Sequence, residues 1–474
     1  MDERNHSSSD HDEEERSHLS DEQPPTPPKR LSCETLDRIS ALPDFILLHT
    51  LSLLPMKEVV KTGTLSKRWQ YLWTSVPNLN FSDPIFERHC IRSFVSFVDR
   101  TLTLCRQSKI NKFTIHFGYE PRFAYNVNLW IRFATSCDVE ELDINLFVMR
   151  DGIRLYTLPK HLFTSSSLTK LGFWFCNVAP AGAISWKSLK NLSIWNVKLS
   201  EDVIENILSG SPALEFLKLC NCWGFNLLDI TSASVRKFVI KGYYDPMNED
   251  DDSVLQISAP YLQSLNVDGG WYLKKFQLMN MSSLVDVNLS FHLEQYEENE
   301  NILKELLQIL CDVNELTIGT WCLQAMSKLE LKGLPSPVSK WKCLKIVAPI
   351  FEWNLPGIEN LLQSSPNLET LIIDGAGTDF EWEWTYGKRT FKCLQLHLKT
   401  LKINIYGFRG WAFGRELPFI QFLLENALVL EKMIVCMPLG PRGSQNLLEE
   451  AEKLLNFPRS SPNAVVMFRI CRLT

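Results

Sequence analysis

The sequence lacks any apolar run long enough to cross a bilayer, which requires about 18 or more consecutive apolar residues. It also has no apolar segment near its amino terminus that resembles a signal peptide. We therefore expect no membrane partner and no secretion. Apolar residues are nevertheless abundant. They make up 45% of the 474 residues, which is enough for a large folded core.

Basic charge is scarce as well. The formal net charge at pH 7 is -6, and residues 1–30 carry nine acidic and four basic side chains, so the rest of the chain is close to neutral. A near-neutral folded part has no broad basic face for nucleic acid or for an anionic membrane. Residues 1–35 are poor in apolar side chains, and this composition predicts a disordered acidic tail.

The chain has little of what catalysis would require. Its thirteen cysteines are scattered, apart from Cys220 and Cys222, and they form neither a disulfide framework nor paired zinc ligands. No phosphate-binding glycine loop, HExxH helix or serine elbow occurs. We expect no enzyme activity, no metal and no cofactor, and no motif supports a catalytic thioester cysteine. Reduced thiols fit a protein of the nucleus, the cytoplasm or both.

A repeat is the clearest pattern that is present. In each unit an apolar residue is followed by two more, three and five positions later, and a degenerate copy lies near Leu344. Amphipathic helical runs precede six of the units, and Pro212 and Pro366 stand where two of these helices must stop. The triplets begin at Ile110, Val139, Leu168, Leu189, Leu214, Val235, Leu262, Leu284, Val313, Leu368, Leu398 and Leu430.

Each unit is therefore predicted to contain a helix or a loop, then a tight turn, then a strand. The last two residues of a triplet are two positions apart, so both point to the same side of the strand. One unit cannot cover its own apolar side, but stacked units bury a continuous core between a parallel sheet and a layer of helices. The pattern predicts an α/β solenoid, curved like a horseshoe, with its sheet on the concave face.

A small helical module precedes the repeats. Helical spacing predicts three short helices, the first between Pro43 and Pro55, the second ending near Gly63 and the third capped by Ser66. Their apolar residues are Leu47, Leu51 and Leu54 in the first, Val59 and Val60 in the second, and Leu65, Trp69, Leu72 and Trp73 in the third. So small a module cannot bury all of these side chains by itself, so some must meet another protein or the rest of the chain.

The stretch from Ile39 to Trp73 closely resembles the F-box of plant proteins, through the ordered motifs Ile39-Ser-x-Leu-Pro-Asp, Leu54-Pro, Val59-Val and Leu65-Ser-Lys-Arg-Trp-x-x-Leu-Trp. The repeats resemble plant leucine-rich repeats. The segments His397 to Gly410, Phe422 to Ala427 and Pro458 to Phe468 resemble the FBD module that follows such repeats. The resemblance implies an F-box at 36–82, leucine-rich repeats at 83–380 and an FBD module at 381–474 as a repeat-like cap.

The F-box resemblance implies docking onto the small Skp-family adaptor of a cullin-RING ubiquitin ligase. The chain would then be a non-catalytic subunit whose repeats hold an unknown target protein for ubiquitin transfer. The residues expected to form the adaptor interface and the packing of the module are Leu42, Pro43, Leu47, Leu51, Leu54, Pro55, Val59, Val60, Leu65, Trp69, Leu72 and Trp73.

Three alternatives stay open at this point. The helical module could be a cap on the solenoid that contacts no partner, the repeats could be a scaffold without ligase recruitment, or the protein could be a small-molecule receptor of the F-box class. A further aromatic run, Trp382, Trp384 and Tyr386, alternates at strand spacing and fits a binding surface or burial against the neighbouring module equally well.

Overall fold

The computed structural model describes residues 39, 42–82, 91–106, 109–148, 154–180, 182–243, 254–271, 275–293, 299–334, 336–376, 390–406, 417–438 and 451–471. The predicted acidic tail, residues 1–35, lies outside the described residues, and so do Trp382, Trp384 and Tyr386.

The chain divides into two units, Met1–Pro43 and Asp44–Thr474. The first is described only at its end, where the backbone N–H of Leu42 donates a hydrogen bond to the carbonyl oxygen of Ile39 at 3.0 Å. The helices and strands described below all belong to the second unit.

Parallel β-strands dominate the second unit. The described residues contain twenty strands, and each paired strand runs parallel to its neighbour. The strands are β1 Asn78–Ser82, β2 Lys112–His116, β3 Glu141–Asn145, β4 Tyr156–Thr157, β5 Lys170–Trp174, β6 Cys176–Asn177, β7 Asn191–Trp195, β8 Phe216–Cys220, β9 Leu227–Asp229, β10 Lys237–Tyr243, β11 Val254–Ser258, β12 Ser264–Trp271, β13 Lys275–Met279, β14 Asp286–Leu293, β15 Glu315–Gly319, β16 Cys343–Val347, β17 Thr370–Ala376, β18 Thr400–Tyr406, β19 Lys432–Pro438 and β20 Val465–Cys471.

Fifteen strands form one sheet in the order β1-β2-β3-β5-β7-β8-β10-β12-β14-β15-β16-β17-β18-β19-β20. Strand order follows chain order, as it must when each repeat contacts only its neighbours. The remaining strands form two small sheets, β4-β6 and β13-β11-β9. These short strands lie between main-sheet strands in the chain, at the place where other units have a helix, so the shorter units contain a strand where the sequence suggested only a loop.

Two rows of apolar side chains cross the large sheet in register, which confirms the predicted solenoid. The second residue of each triplet forms one row: Leu79, Phe113, Leu142, Leu171, Leu192, Leu217, Phe238, Leu265, Val287, Leu316, Leu344, Leu371, Leu401, Met433 and Val466. The third residue forms the other, from Phe81 on β1 to Phe468 on β20. Both rows belong to one continuous hydrophobic core.

Helices cover the side of the sheet that carries these rows. They are α1 Asp44–Leu51, α2 Met56–Lys61, α3 Ile91–Leu104, α4 Ala124–Ser136, α5 Glu201–Ser209, α6 Asn299–Ile309, α7 Thr320–Leu331, α8 Leu355–Ser364, α9 Lys392–Leu396 and α10 Leu417–Asn426, and residues 451–455 are also helical. All six helices predicted from the repeat are present.

Helix α7 was not predicted. It follows β15 directly and packs against α8 and α6. Seven of its residues are buried, including Trp321, Leu323 and Met326. A helix that is buried on most sides has no polar stripe, so it gives no amphipathic signal in the sequence. The triplet after it is complete rather than degenerate, because Trp341 is 1% exposed and takes the first position before Leu344.

The segment predicted as the third helix of the N-terminal module is not an α-helix. After α2 the chain forms a 3-10 helix, Thr62–Thr64, then turns, then a second 3-10 helix, Leu72–Ser75. The hydrogen bonds from Leu72 N–H to the Trp69 carbonyl and from Thr74 N–H to the Tyr71 carbonyl span three residues, not four. Because this coil is tighter than an α-helix, Leu65 leaves the predicted buried face and is 67% exposed.

The N-terminal module and the solenoid share their first strand. Val76, Leu79 and Phe81 repeat the triplet spacing, and all three are buried. β1 then pairs with β2 along its whole length, from Asn78 opposite Lys112 to Ser82 opposite His116. Helix α2, which belongs to the module, packs on β1. The module therefore closes the amino-terminal end of the sheet.

Gly210, directly after α5, lies where the fold has no room for a side chain. A Cβ atom there would be 2.3 Å from the carbonyl oxygen of Ile184. The Gly210 carbonyl also accepts a hydrogen bond from the N–H of Trp186 at 2.8 Å, which holds the backbone in place. We expect Gly210→Ala to lower the free energy of unfolding by about 1–3 kcal/mol, the usual range for overpacking.

Gly270 on β12 provides the matched control. No atom lies within 4 Å of a Cβ placed there. Gly270→Ala should change stability by less than about 1 kcal/mol. Denaturant titration of both variants, followed by circular dichroism, measures the difference, and equal destabilisation would contradict the packing described at α5.

Candidate functional site

The expected site residues of the N-terminal module divide by burial. Five of them lie in the hydrophobic core, namely Leu47, Leu51, Val59, Trp69 and Trp73. Three are partly buried, namely Pro55, Val60 and Leu72. Four are exposed, namely Leu42, Pro43, Leu54 and Leu65. Part of the set therefore holds the module together, and part remains accessible to a partner.

The buried residues of this set connect α1 and the turns after α2 to the core of the solenoid. Helix α1 packs on the 3-10 helix Leu72–Ser75 through its Leu47 side. The indole N–H of Trp73 donates to the carbonyl oxygen of Gln70 at 3.0 Å, so its polar edge is satisfied inside the protein. Gly63 lies against this ring, with the position of a Cβ 3.4 Å from the indole. These contacts fix the orientation of α1.

The outer side of α1 and the turn after it carry four apolar residues that reach solvent. Phe45 and Leu53 are 71% and 72% exposed, and Ile46 and Leu54 beside them are 36% and 38% exposed. These four residues are called the α1 surface. Phe45 and Ile46 lie in the first turn of α1 and Leu53 and Leu54 lie just after its end, and all four are exposed where Leu47 and Leu51 are buried.

Polar groups at the α1 surface are turned back to the helix. The Thr50 hydroxyl donates to the Ile46 carbonyl at 2.9 Å, and the Ser52 hydroxyl donates to the Leu48 carbonyl at 2.7 Å. The α1 surface therefore offers mainly apolar contact. Exposed apolar clusters of this kind mark interaction sites on soluble proteins.

Charged groups lie at the start of α1. Asp44 accepts a hydrogen bond from the Arg68 guanidinium, with an N···O distance of 2.5 Å. This pair ties the start of α1 to the turns that carry Trp69, although an exposed ion pair contributes little stability by itself. Two further apolar side chains on this part of the chain, Leu65 and Tyr71, are 67% and 62% exposed.

Sequence reasoning missed Phe45, Ile46, Leu53 and Tyr71 as candidates. The signal available for the first three was their apolar character outside the predicted buried face of Leu47 and Leu51. Large apolar side chains that the module leaves exposed point to a contact outside it.

The structure describes little that could support catalysis. Within the described residues no group of three or more His, Cys, Asp or Glu side chains could hold a metal ion. Burial raises the pKa of the Cys222 thiol to about 12 and that of Cys220 to about 11. Both thiols are therefore protonated at neutral pH, and a protonated thiol is a poor nucleophile. No described helix is long and apolar enough to cross a membrane.

Three family models match this chain. The F-box domain model matches residues 39–81, which include the α1 surface. A model of the leucine-rich repeats of FBD-associated F-box protein At5g56370 matches residues 127–373. The FBD model matches residues 388–435.

Curated proteins of Arabidopsis thaliana are similar over most of the chain. F-box/LRR-repeat protein At5g02910 is 34% identical over 351 residues, which are 72% of this chain and 73% of the relative. F-box/LRR-repeat protein At3g03360 is 30% identical over 73% of this chain and 72% of the relative. F-box/FBD/LRR-repeat protein At5g56420 is 29% identical over 91% of this chain and 99% of the relative.

Two residues of α1, Phe45 and Leu47, should differ strongly in their response to truncation. Leu47 is 2% exposed and lies in the core, so Leu47→Ala should lower the free energy of unfolding by about 2–5 kcal/mol. Phe45 is 71% exposed, so Phe45→Ala should change it by less than about 0.5 kcal/mol. Thermal unfolding of the two variants tests whether Leu47 belongs to the core and Phe45 does not. A large loss of stability in Phe45→Ala would show that this side chain is not free for a partner.

Proposed function

Because this chain belongs to the F-box/FBD/LRR-repeat protein family, we propose that it is the target-recognition subunit of a ubiquitin ligase of the Skp–cullin–F-box type. In this proposal the F-box docks onto the Skp-family adaptor and the repeats hold a target protein. The observation that carries it is the α1 surface, an exposed apolar surface within the F-box match in which Phe45 and Leu53 are 71% and 72% exposed.

The two sides of α1 would serve two purposes. Leu47 and Leu51 pack into the core that continues through β1 into the sheet. Phe45, Ile46, Leu53 and Leu54 face solvent and supply the apolar centre that a stable protein interface requires. Capping of the solenoid and docking of the adaptor are therefore compatible, because they use opposite sides of the helix.

The mechanism is proximity rather than catalysis. A target bound to the repeats is held near the conjugating enzyme that the ligase recruits, which raises the effective concentration of the target lysine. The shared strand β1 supports this role, since it follows Trp73 closely, pairs with β2 and gives the F-box and the first repeat one core. The chain supplies no catalytic group in this proposal.

We further propose that the protein acts in the nucleus or the cytoplasm. Eight described cysteines are free thiols, namely Cys105, Cys176, Cys220, Cys222, Cys311, Cys322, Cys343 and Cys393. Free thiols in such number fit a reducing compartment, where cullin-RING ligases would meet their targets.

Binding of the purified chain to a purified Skp-family adaptor tests the proposal. Phe45→Ala combined with Leu53→Ala should weaken binding at least about thirtyfold, because truncating a central interface residue costs about 2 kcal/mol or more. Trp69→Ala is less suitable for this test, because Trp69 is 7% exposed and its truncation would disturb the fold of the module.

The matched control is Tyr125→Ala combined with Leu331→Ala. Tyr125 and Leu331 are 71% and 72% exposed, as Phe45 and Leu53 are, but they lie on α4 and α7. The control should bind the adaptor as the wild type does. Absence of binding by the folded wild type would overturn the proposal. An equal loss of adaptor affinity in both double variants would show that the α1 surface is not the docking site.

A further inference from the structure

The sheet has a second face, and five neighbouring strands place an unusual group of side chains on it. His116 on β2, Asp143 on β3, Trp174 on β5, Trp195 on β7 and Lys218 on β8 alternate with the buried rows and are each partly exposed. This group is called the tryptophan strip. The sequence alone does not reveal it, because consecutive members are 21 to 31 positions apart and only the stacking of the repeats brings them together.

The members of the tryptophan strip contact one another across the strands. The rings of Trp174 and Trp195 are stacked, with centroids 5.6 Å apart and an angle of 17° between their planes. The Lys218 ammonium lies 4.5 Å from the centroid of the Trp195 ring. On the other side, His116 meets Trp174 edge to face at 6.1 Å, and its Nε2 is 3.2 Å from Asp143 Oδ1. The strip thus runs from a cation, across two indoles, to an anion.

Local backbone features hold the first of these rings in position. Gly172 precedes Trp174 on the same face, and a Cβ there would lie 3.1 Å from the indole, so the absence of a side chain lets the ring lean over the strand. Phe175, directly after Trp174, has a φ of 54°, a conformation that strains a bulky residue. Asn196 and Asn221 have the same conformation after β7 and β8, where Asn tolerates it better.

Strain of this kind persists where the surrounding structure requires it, and it is concentrated at functional sites. The N–H of Phe175 donates to the carbonyl oxygen of Trp195 at 3.1 Å, so the strained turn also links the two strands that carry the indoles. The indole pair is therefore set in position before any ligand arrives.

The charges at the ends of the strip are incompletely matched. Other charged residues of this face form ion pairs, such as Lys170 with Glu141 at 2.7 Å and Lys241 with Asp268 at 3.0 Å. Among the described residues Lys218 has no carboxylate partner, and its ammonium contacts only the Trp195 ring. Asp143 has only His116, which carries charge only when protonated. Both end charges are available to an oppositely charged partner.

Strand spacing sets the length of a ligand that could meet both charges. Asp143 and Lys218 are in the same row of the sheet, three strand spacings apart, which is about 14–15 Å. An extended peptide advances about 3.3–3.6 Å per residue, so four residues span this distance. Because the two indoles lie midway, the middle of such a peptide would rest on their rings.

We propose that the tryptophan strip binds an extended segment of a protein in which a basic and an acidic residue stand four positions apart with an aromatic or proline residue between them. The basic residue pairs with Asp143, the acidic residue pairs with Lys218, and the central ring rests on Trp174 and Trp195. The inference rests on the proposed function, since it names the chemistry by which the repeats would recognise a target.

Labelled synthetic peptides provide the test, with the purified full-length chain and no adaptor present. The probes have the form Arg-Ser-X-Ser-Glu, with X varied and with the spacing of Arg and Glu varied from two to six positions. We expect the tightest binding at a spacing of four, with Trp, Tyr, Phe or Pro at X. Trp174→Ala combined with Trp195→Ala should weaken it at least about tenfold, as truncation of a central aromatic anchor does.

Trp353→Ala is the matched control for the tryptophans, because Trp353 is 54% exposed and stacks on Phe351 near the start of α8. It should leave peptide binding unchanged. Peptides that bind the double tryptophan variant as tightly as the wild type, or that show no preference for charge or spacing, would overturn the proposal.

Reversing the charge of Lys218 should create a new peptide preference, a result that partial unfolding of the variant would not produce. Lys218→Glu makes both ends of the strip acidic, so this variant should prefer Arg-Ser-Trp-Ser-Arg over the mixed-charge peptide at least about tenfold, the reverse of the wild-type order. Lys402→Glu on β18 makes the same change of charge elsewhere on the face and should leave the order as it is in the wild type. No reversal in Lys218→Glu would contradict the assignment of that end.

Adaptor affinity measured on the same samples separates the two proposals. The tryptophan and lysine variants should bind the adaptor as the wild type does. Adaptor binding without any motif preference would overturn the tryptophan strip alone. Motif binding by a chain that does not bind the adaptor would overturn the ligase proposal and leave the strip as a peptide-binding surface.

Discussion

Lateral packing between neighbouring parallel strands is the interaction on which the rest of the structure depends. Leu79 on β1 lies opposite Phe113 on β2, and the row continues without a break to Val466 on β20. A single repeat exposes its apolar side, so every strand needs a neighbour on each side, and the two ends need protection. The F-box closes one end through β1, and the FBD match leads to the other end at β20.

This constraint explains why the F-box has two kinds of apolar residue. Its core must continue that of the first repeat, and Trp73, Val76 and Leu79 do so. Once that need is met, apolar side chains on the outer side of α1 add nothing to the packing of the chain. Phe45 and Leu53 remain there, exposed, where a partner can bury them. The same reasoning applies to the second face of the sheet, where Trp174 and Trp195 are not needed for the core.

The repeat was readable from the sequence because a spacing of three and then two residues depends only on strand geometry and burial. Helices with one apolar side, such as α5 and α6, were readable for the same reason. α7 was missed because burial on most sides removes the polar stripe, and the third helix of the F-box was misjudged because a few residues of helical spacing also fit a 3-10 coil. The tryptophan strip lies beyond sequence reasoning, since its residues meet only through lateral register between repeats.

Hydrogen–deuterium exchange of the chain, alone and with a Skp-family adaptor, tests most directly whether one rigid unit presents α1 to a partner. The account predicts slower exchange on binding for the amides of residues 44–54. It also predicts unchanged exchange in β5 and β7, and strong protection of β1 and β2 in both states, because they share one core. Protection that appears only in β5 and β7, or a β1 that exchanges quickly while β2 is protected, would contradict it.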